Sequence, residues 1–155
     1  MPYEIEKDKL GIPDLKIAGL SIWVHGYEYV ETDTEIDKNW LVITLRLEAA
    51  GTEVWIKGPY METQNIDNFG FYCYGLLTGR EKYAGLHPLE QEIRVNIYKD
   101  HRTGDLTLEV RLELDNAYQK HTARFAVDCY DVGRVMRQCG EIMEKFPTRN
   151  ENLIA

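Results

Sequence analysis

The sequence predicts an α+β fold: an antiparallel sheet of about six strands with two helices packed on one face, in the order β-β-β-α-β-β-β-α. Three observations carry that expectation. Apolar residues alternate with polar ones in three segments before residue 60 and again in three after residue 90. Two other stretches, near residues 66–79 and 128–146, change to apolar steps of three and four. Strands and helices do not alternate one for one, which disfavours a doubly wound parallel sheet.

The first alternating run puts Leu20, Ile22 and Val24 on one face and Trp23, His25, Tyr27 and Tyr29 on the other. Gly19 marks a change of phase from Leu15 and Ile17, as at a bulge or turn. The run ETDTEID follows, an acidic loop with Glu31, Asp33, Glu35 and Asp37. From Trp40 to Glu48 the residues Leu41, Ile43, Leu45 and Leu47 point inward, and Trp40, Val42, Thr44 and Arg46 outward. Ala49-Ala50-Gly51 turns the chain into Thr52 to Gly58, where Val54 and Ile56 face in and Trp55 and Lys57 out.

Ile66, Phe69, Tyr72, Cys73, Leu76 and Leu77 then keep helical spacing and stop at Gly79, which suits a C-cap. Asp67 near the start suits the helix dipole. A linker with Gly85 and Pro88 leads to Ile93, Val95 and Ile97; a Thr103-Gly104-Asp105 turn opens the strand Leu106 to Leu114. Phe125 and Val127 mark the last strand. Asp128 and Asp131 resemble a capping box for a helix striped by Val132, Val135, Met136, Cys139, Ile142, Met143 and Phe146, and ended by Pro147.

At 155 residues the chain accommodates one domain, read as residues 14–148, with 1–13 and 149–155 as loose termini. Lysine and arginine number 18 against 26 acids, a net charge of −8, so attraction to nucleic-acid phosphates is disfavoured and a basic partner is favoured. No apolar run reaches the length of a membrane span, and residues 1–14 lack the apolar stretch of a signal peptide. Cys73, Cys129 and Cys139 form an odd set with no CxxC pair, which reads as buried thiols in a reduced, cytoplasmic protein.

If the helices cover the aliphatic face, the opposite face carries Trp23, His25, Tyr27, Trp40, Arg46, Trp55, Lys57, Arg94, Tyr98, Glu109, Arg111 and Arg124. Tryptophan, tyrosine and arginine dominate protein-binding hot spots, so this face is one candidate partner surface. It can equally be ordinary cross-strand aromatic pairing, or a face covered by the N-terminal segment or by a second copy of the chain. The acidic loop can be merely solvated, or it can steer a cationic protein surface; its spacing lacks the EF-hand pattern. His25, His87, His101 and His121 show no metal-ligand spacing, no GxSxG, GxxxxGK[ST] or GxGxxG occurs, and nothing marks Glu90 and Glu92 as an acid pair. No catalytic, metal or cofactor site is expected.

Residues 15–61 carry a recognisable series: a hydrophobic strand ending in Gly26-Tyr27-Glu28, the acidic loop, Asn39-Trp40-Leu41, Gly51, and Val54-Trp55-Ile56-x-Gly58-Pro59. Pro88 before a strand and a last helix closing at Glu144-Lys145-Phe146-Pro147 extend it. The chain thereby resembles WapI-type immunity proteins over most of residues 14–148, departing from them at Ile36 and in the apolar middle helix with its FGFYCYG run. The resemblance implies a non-enzymatic cytoplasmic protein that binds and neutralises a cognate bacterial toxin domain, often a nuclease. Partner-binding residues are then expected at Trp23, His25, Tyr27, Trp40, Arg46 and Trp55, and in the acidic loop at Glu31, Asp33, Glu35 and Asp37. The alternative is a small-ligand or peptide-binding module that uses the aromatic face as a cradle.

Overall fold

The computed structural model describes residues 3–29 and 38–149. A 3-10 turn at Lys7–Lys9 precedes four strands, β1 (Leu15–Ile17), β2 (Leu20–Tyr27), β3 (Trp40–Ala49) and β4 (Thr52–Glu62), and the helix α1 (Thr63–Leu77). Four more strands follow, β5 (Tyr83–Leu86), β6 (Ile93–Lys99), β7 (Leu106–Leu114) and β8 (Gln119–Val127), then α2 (Cys129–Lys145). The α+β antiparallel class holds, but eight strands form two sheets, ordered β1-β2-β3-β4 and β5-β6-β7-β8, in place of one sheet of six.

The two additional strands are short, and each sits beside a local signal that hides it. β1 has three residues and pairs Leu15 with Ile22 and Ile17 with Leu20, so the phase change at Gly19 is a hairpin turn, with Ala18 at φ 49°. β5 has four residues and pairs with β6 despite Gly85 within it and Pro88 just beyond. All strand pairings are antiparallel between neighbours in the sequence.

One apolar cluster joins both sheets and both helices. Leu15, Ile22, Leu41, Ile43 and Leu45 from the first sheet meet Val95, Ile97, Leu108 and Val110 from the second, with Phe69, Cys73, Val135 and Ile142 from the helices. The helices therefore share a core with two sheets and do not simply cover one face of one sheet. They run antiparallel in contact: a Cβ built at Gly70 would lie 2.9 Å from Cys139 Cβ, and one at Gly133 would lie 3.9 Å from Leu77 Cδ1. Gly70, which costs helix propensity, is thus explained by close helix packing. At the start of α2, Asp128 Oδ1 accepts from Asp131 N at 2.9 Å and Asp131 Oδ2 accepts from Asp128 N at 3.0 Å, so the capping box forms as read.

Two bulges decide where side chains of the first sheet point. Between Val24 and Gly26 the pairing with β3 slips at His25, and between Leu41 and Ile43 it slips against Pro59 and Tyr60 of β4. Proline has no N–H to give a ladder, so a bulge is where it fits.

Candidate partner-binding surface

On the outer side of the first sheet, Trp23 and Trp55 stack with ring centroids 5.7 Å apart and planes inclined by 15°. Lys7 Nζ lies 4.8 Å from the Trp55 ring centre and the Arg46 guanidinium 5.5 Å from it, both within cation–π range. Arg46 Nε donates to Glu53 at 2.8 Å, and its Nη2 is ion-paired with Glu48. Those bonds from Arg46 and Trp55 hold the exposed Glu53 carboxyl below its usual range. Residues 3–11, read from the sequence as a loose terminus, lie against this face. Trp23 Nε1 donates to Gly11 O at 3.0 Å and Lys57 Nζ to Glu4 O at 3.0 Å. Trp23 is left only 8% exposed, so it serves as an anchor for the N-terminal segment and presents little surface to a partner.

The bulge at His25 corrects the expected parity of Tyr27. Trp23 pairs with Thr44 on the outer side, but Tyr27 pairs with Leu41, a core residue. The extra residue turns Tyr27 to the opposite side from Trp23, where its ring meets Phe146 edge-on at 5.9 Å. His25, the bulged residue, is exposed and its Nε2 shares a 2.7 Å hydrogen bond with Thr44 Oγ1. Partial burial, then Lys57, lowers its imidazole pKa, opposed by Asp14.

The acidic residues Glu31, Asp33, Glu35 and Asp37 lie outside the described residues, but the two chain ends that lead to them are firmly held. Glu28 N donates to Trp40 O at 2.8 Å, closing the strand pair. Asn39 makes a pair of hydrogen bonds with the Arg149 backbone, its Oδ1 accepting from Arg149 N at 2.7 Å and its Nδ2 donating to Arg149 O at 3.2 Å. The Arg149 guanidinium donates to Tyr29 O at 2.7 Å and sits 3.9 Å from the Tyr27 ring centre. The Tyr27 hydroxyl donates to Pro147 O. Tyr27, Tyr29 and Asn39 are thus held together, as a neck, by the C-terminal residues Pro147 and Arg149.

Beside that neck opens a cleft of about 450 Å³ lined by Tyr3, Glu28, Trp40, Lys57, Gly58, Pro59, Tyr60, Glu90 and Glu92. Three aromatic rings and three carboxylates meet one ammonium, and that ammonium is already bonded to Glu4 O. Glu92 Oε2 is buried with no hydrogen-bond partner among the described residues. Burial and the nearby Glu92 charge raise the Tyr60 phenol, so it stays a neutral donor. Trp40 is the sequence-predicted site residue that reaches this cleft. Arg94, Tyr98, Glu109, Arg111 and Arg124, expected on the same face, belong to the second sheet. There Glu109, 8% exposed, is ion-paired with Arg111 at 3.0 Å and Arg124 at 2.8 Å.

A family model described as the immunity protein WapI-like family matches residues 12–147. The chain belongs to this family. No curated protein matches it. Two solved structures are similar at low identity. One is described as crystal structures of Trypanosoma bruciei MRP1/MRP2, with 10% identity, covering 85% of this chain and 88% of that chain at a TM-score of 0.44. The other, a guideRNA-binding protein complex bound to a gRNA, has 12% identity and covers 86% and 97% at a TM-score of 0.42.

In this WapI-like immunity protein, several of the residues that carry the family resemblance lie at the neck and the cleft. Tyr27, Asn39 and Phe146-Pro147 build the clamp, while Glu28, Trp40, Gly58 and Pro59 line the opening. Tyr3, Tyr60, Glu90 and Glu92 line the cleft with no local pattern in the sequence that marks them. Glu90 and Glu92 were noticed as a pair, but their nearness to Trp40 is a tertiary fact that no local spacing reveals.

Proposed function

We propose that this immunity protein neutralises a cognate toxin domain by binding it with the end of the first sheet that carries the neck, the cleft and the acidic run 31–37. The partner is a basic protein, as a nuclease that grips phosphates would be, and inhibition comes from covering its working surface without chemistry by the inhibitor. The observation that carries this reading is the coincidence of family membership with an aromatic, carboxylate-rich cleft lined by Glu28 and Trp40, the residues on either side of the acidic stretch of the sequence. Charge complementarity of this kind speeds association and selects partners. Four carboxylates placed together concentrate the acidic field that the net charge of −8 only hints at.

The test pairs the protein with the product of the adjacent toxin gene. Co-expression is expected to rescue growth, and the purified pair to associate with a rate that falls as salt rises. Asp33→Lys with Asp37→Lys is expected to slow association about tenfold or more at low salt and much less at high salt. Loss of the gene without any sensitivity to the neighbouring product would overturn the reading.

A further inference from the structure

We infer that the cleft at the neck is a socket for one arginine side chain of the partner protein. The inference rests on the reading that the partner is a protein with a basic surface, and it names the group this opening would take. A guanidinium is flat, permanently charged, stacks on aromatic rings and donates in a fork that matches carboxylates. The cleft supplies the complement of each property. Trp40 and Tyr60 offer ring surface, and Glu90 and Glu92 offer carboxylates, within one opening of about 450 Å³. That volume accepts a side chain.

Two further observations make the socket more than a crowd of acids. Lys57, the basic residue of the lining, donates to Glu4 O, so its ammonium is directed at the N-terminal segment. Glu92 meanwhile keeps an oxygen buried without a donor among the described residues. A buried carboxylate oxygen left unsatisfied is costly, and a charged donor delivered into the cleft would relieve it. The terminal torsion of glutamate is soft, so either oxygen can turn to a ligand. Three arginines elsewhere on the two sheets are already engaged: Arg46 by Glu48 and Glu53, Arg111 and Arg124 by Glu109.

The experiment titrates the full chain with N-acetyl-arginine amide and, as control, N-acetyl-citrulline amide, which has the same shape without the charge. The arginine derivative is expected to move the Trp40 indole N–H and the Lys57 and Gly58 amide signals in NMR spectra, and the citrulline derivative to leave them in place. Glu90→Gln with Glu92→Gln, checked by circular dichroism for an unchanged fold, is expected to weaken this binding, and binding of the cognate toxin domain, at least about tenfold. Equal shifts from both derivatives, or none at these residues, would overturn the socket. So would toxin binding by the double variant as tight as wild type, and that result would leave the immunity reading standing. Toxin left unbound by a wild type that still takes the arginine derivative would overturn the immunity reading instead.

Discussion

Gly19 has no room for a side chain. A Cβ there would sit 1.9 Å from the Glu48 carbonyl oxygen and 2.8 Å from Cζ of Phe125, and Glu48 N is itself bonded to Gly19 O at 2.9 Å. The obstacle is backbone on a neighbouring strand, which cannot rotate away. Gly70 is also crowded, but by the Cβ of Cys139 at 2.9 Å. There, alanine would recover about 1 kcal/mol of helix propensity against an overpacking cost of about 1–3 kcal/mol. Gly19→Ala is therefore expected to destabilise by about 3 kcal/mol or more, and Gly70→Ala by about 1 kcal/mol on balance. Urea denaturation of the two variants checks the order; a Gly19→Ala protein as stable as wild type would refute the packing argument.

The same close helix contact buries two thiols. Cys73 and Cys139 are buried on the facing sides of α1 and α2, and Cys129, first residue of α2, is exposed. Burial pushes the Cys73 thiol up to about 12 and raises that of Cys139 as well, so neither offers a thiolate near neutral pH. Ellman's reagent at pH 8 is expected to titrate one thiol per native chain and three in guanidinium. Rapid reaction of all three in native protein would mean that the helix pair opens readily. At the scale of elements the sequence was informative wherever a pattern ran long. The nine alternating residues of β7 and the capped stripe of α2 were legible, because burial of one face imposes its period on many positions. β1 and β5 were not, since three or four residues establish no period and their neighbours carry turn residues. Tyr27 was misassigned for a different reason: one extra residue at His25 inverts the parity of everything after it, and local composition does not reveal a bulge. A small part of the cleft is legible in the same sense. Trp40 came from the chain's own pattern, whereas Tyr60, Glu90 and Glu92 join it only when β4 and the segment before β6 come together in space.

For the whole molecule, the expectation of a single aromatic and arginine face gives way to a division of labour. Trp23 and Trp55 hold the N-terminal segment, Arg46, Arg111 and Arg124 are ion-paired with neighbouring carboxylates, and in the cleft Glu92 Oε2 has no hydrogen-bond partner among the described residues. The cleft and the contacts of Tyr27 and Asn39 with Arg149 thus fall at one end of the first sheet. The order of elements has a consequence of its own. Four strands and a helix occur twice in succession, and each set of four pairs only within itself, yet the core is common to both. The chain therefore divides at the turn after α1, where Gly79 takes a left-handed φ of 79°, into two pieces with complete hydrogen-bond ladders and incomplete interiors. Residues 1–79 and 80–155 made separately are expected to lack cooperative unfolding, and on mixing to regain the circular dichroism and single melting transition of the intact chain. Either piece melting cooperatively alone would show that the interior is not shared. Divided this way, the protein becomes a two-part sensor, in which protection against the toxin reports that its halves have met.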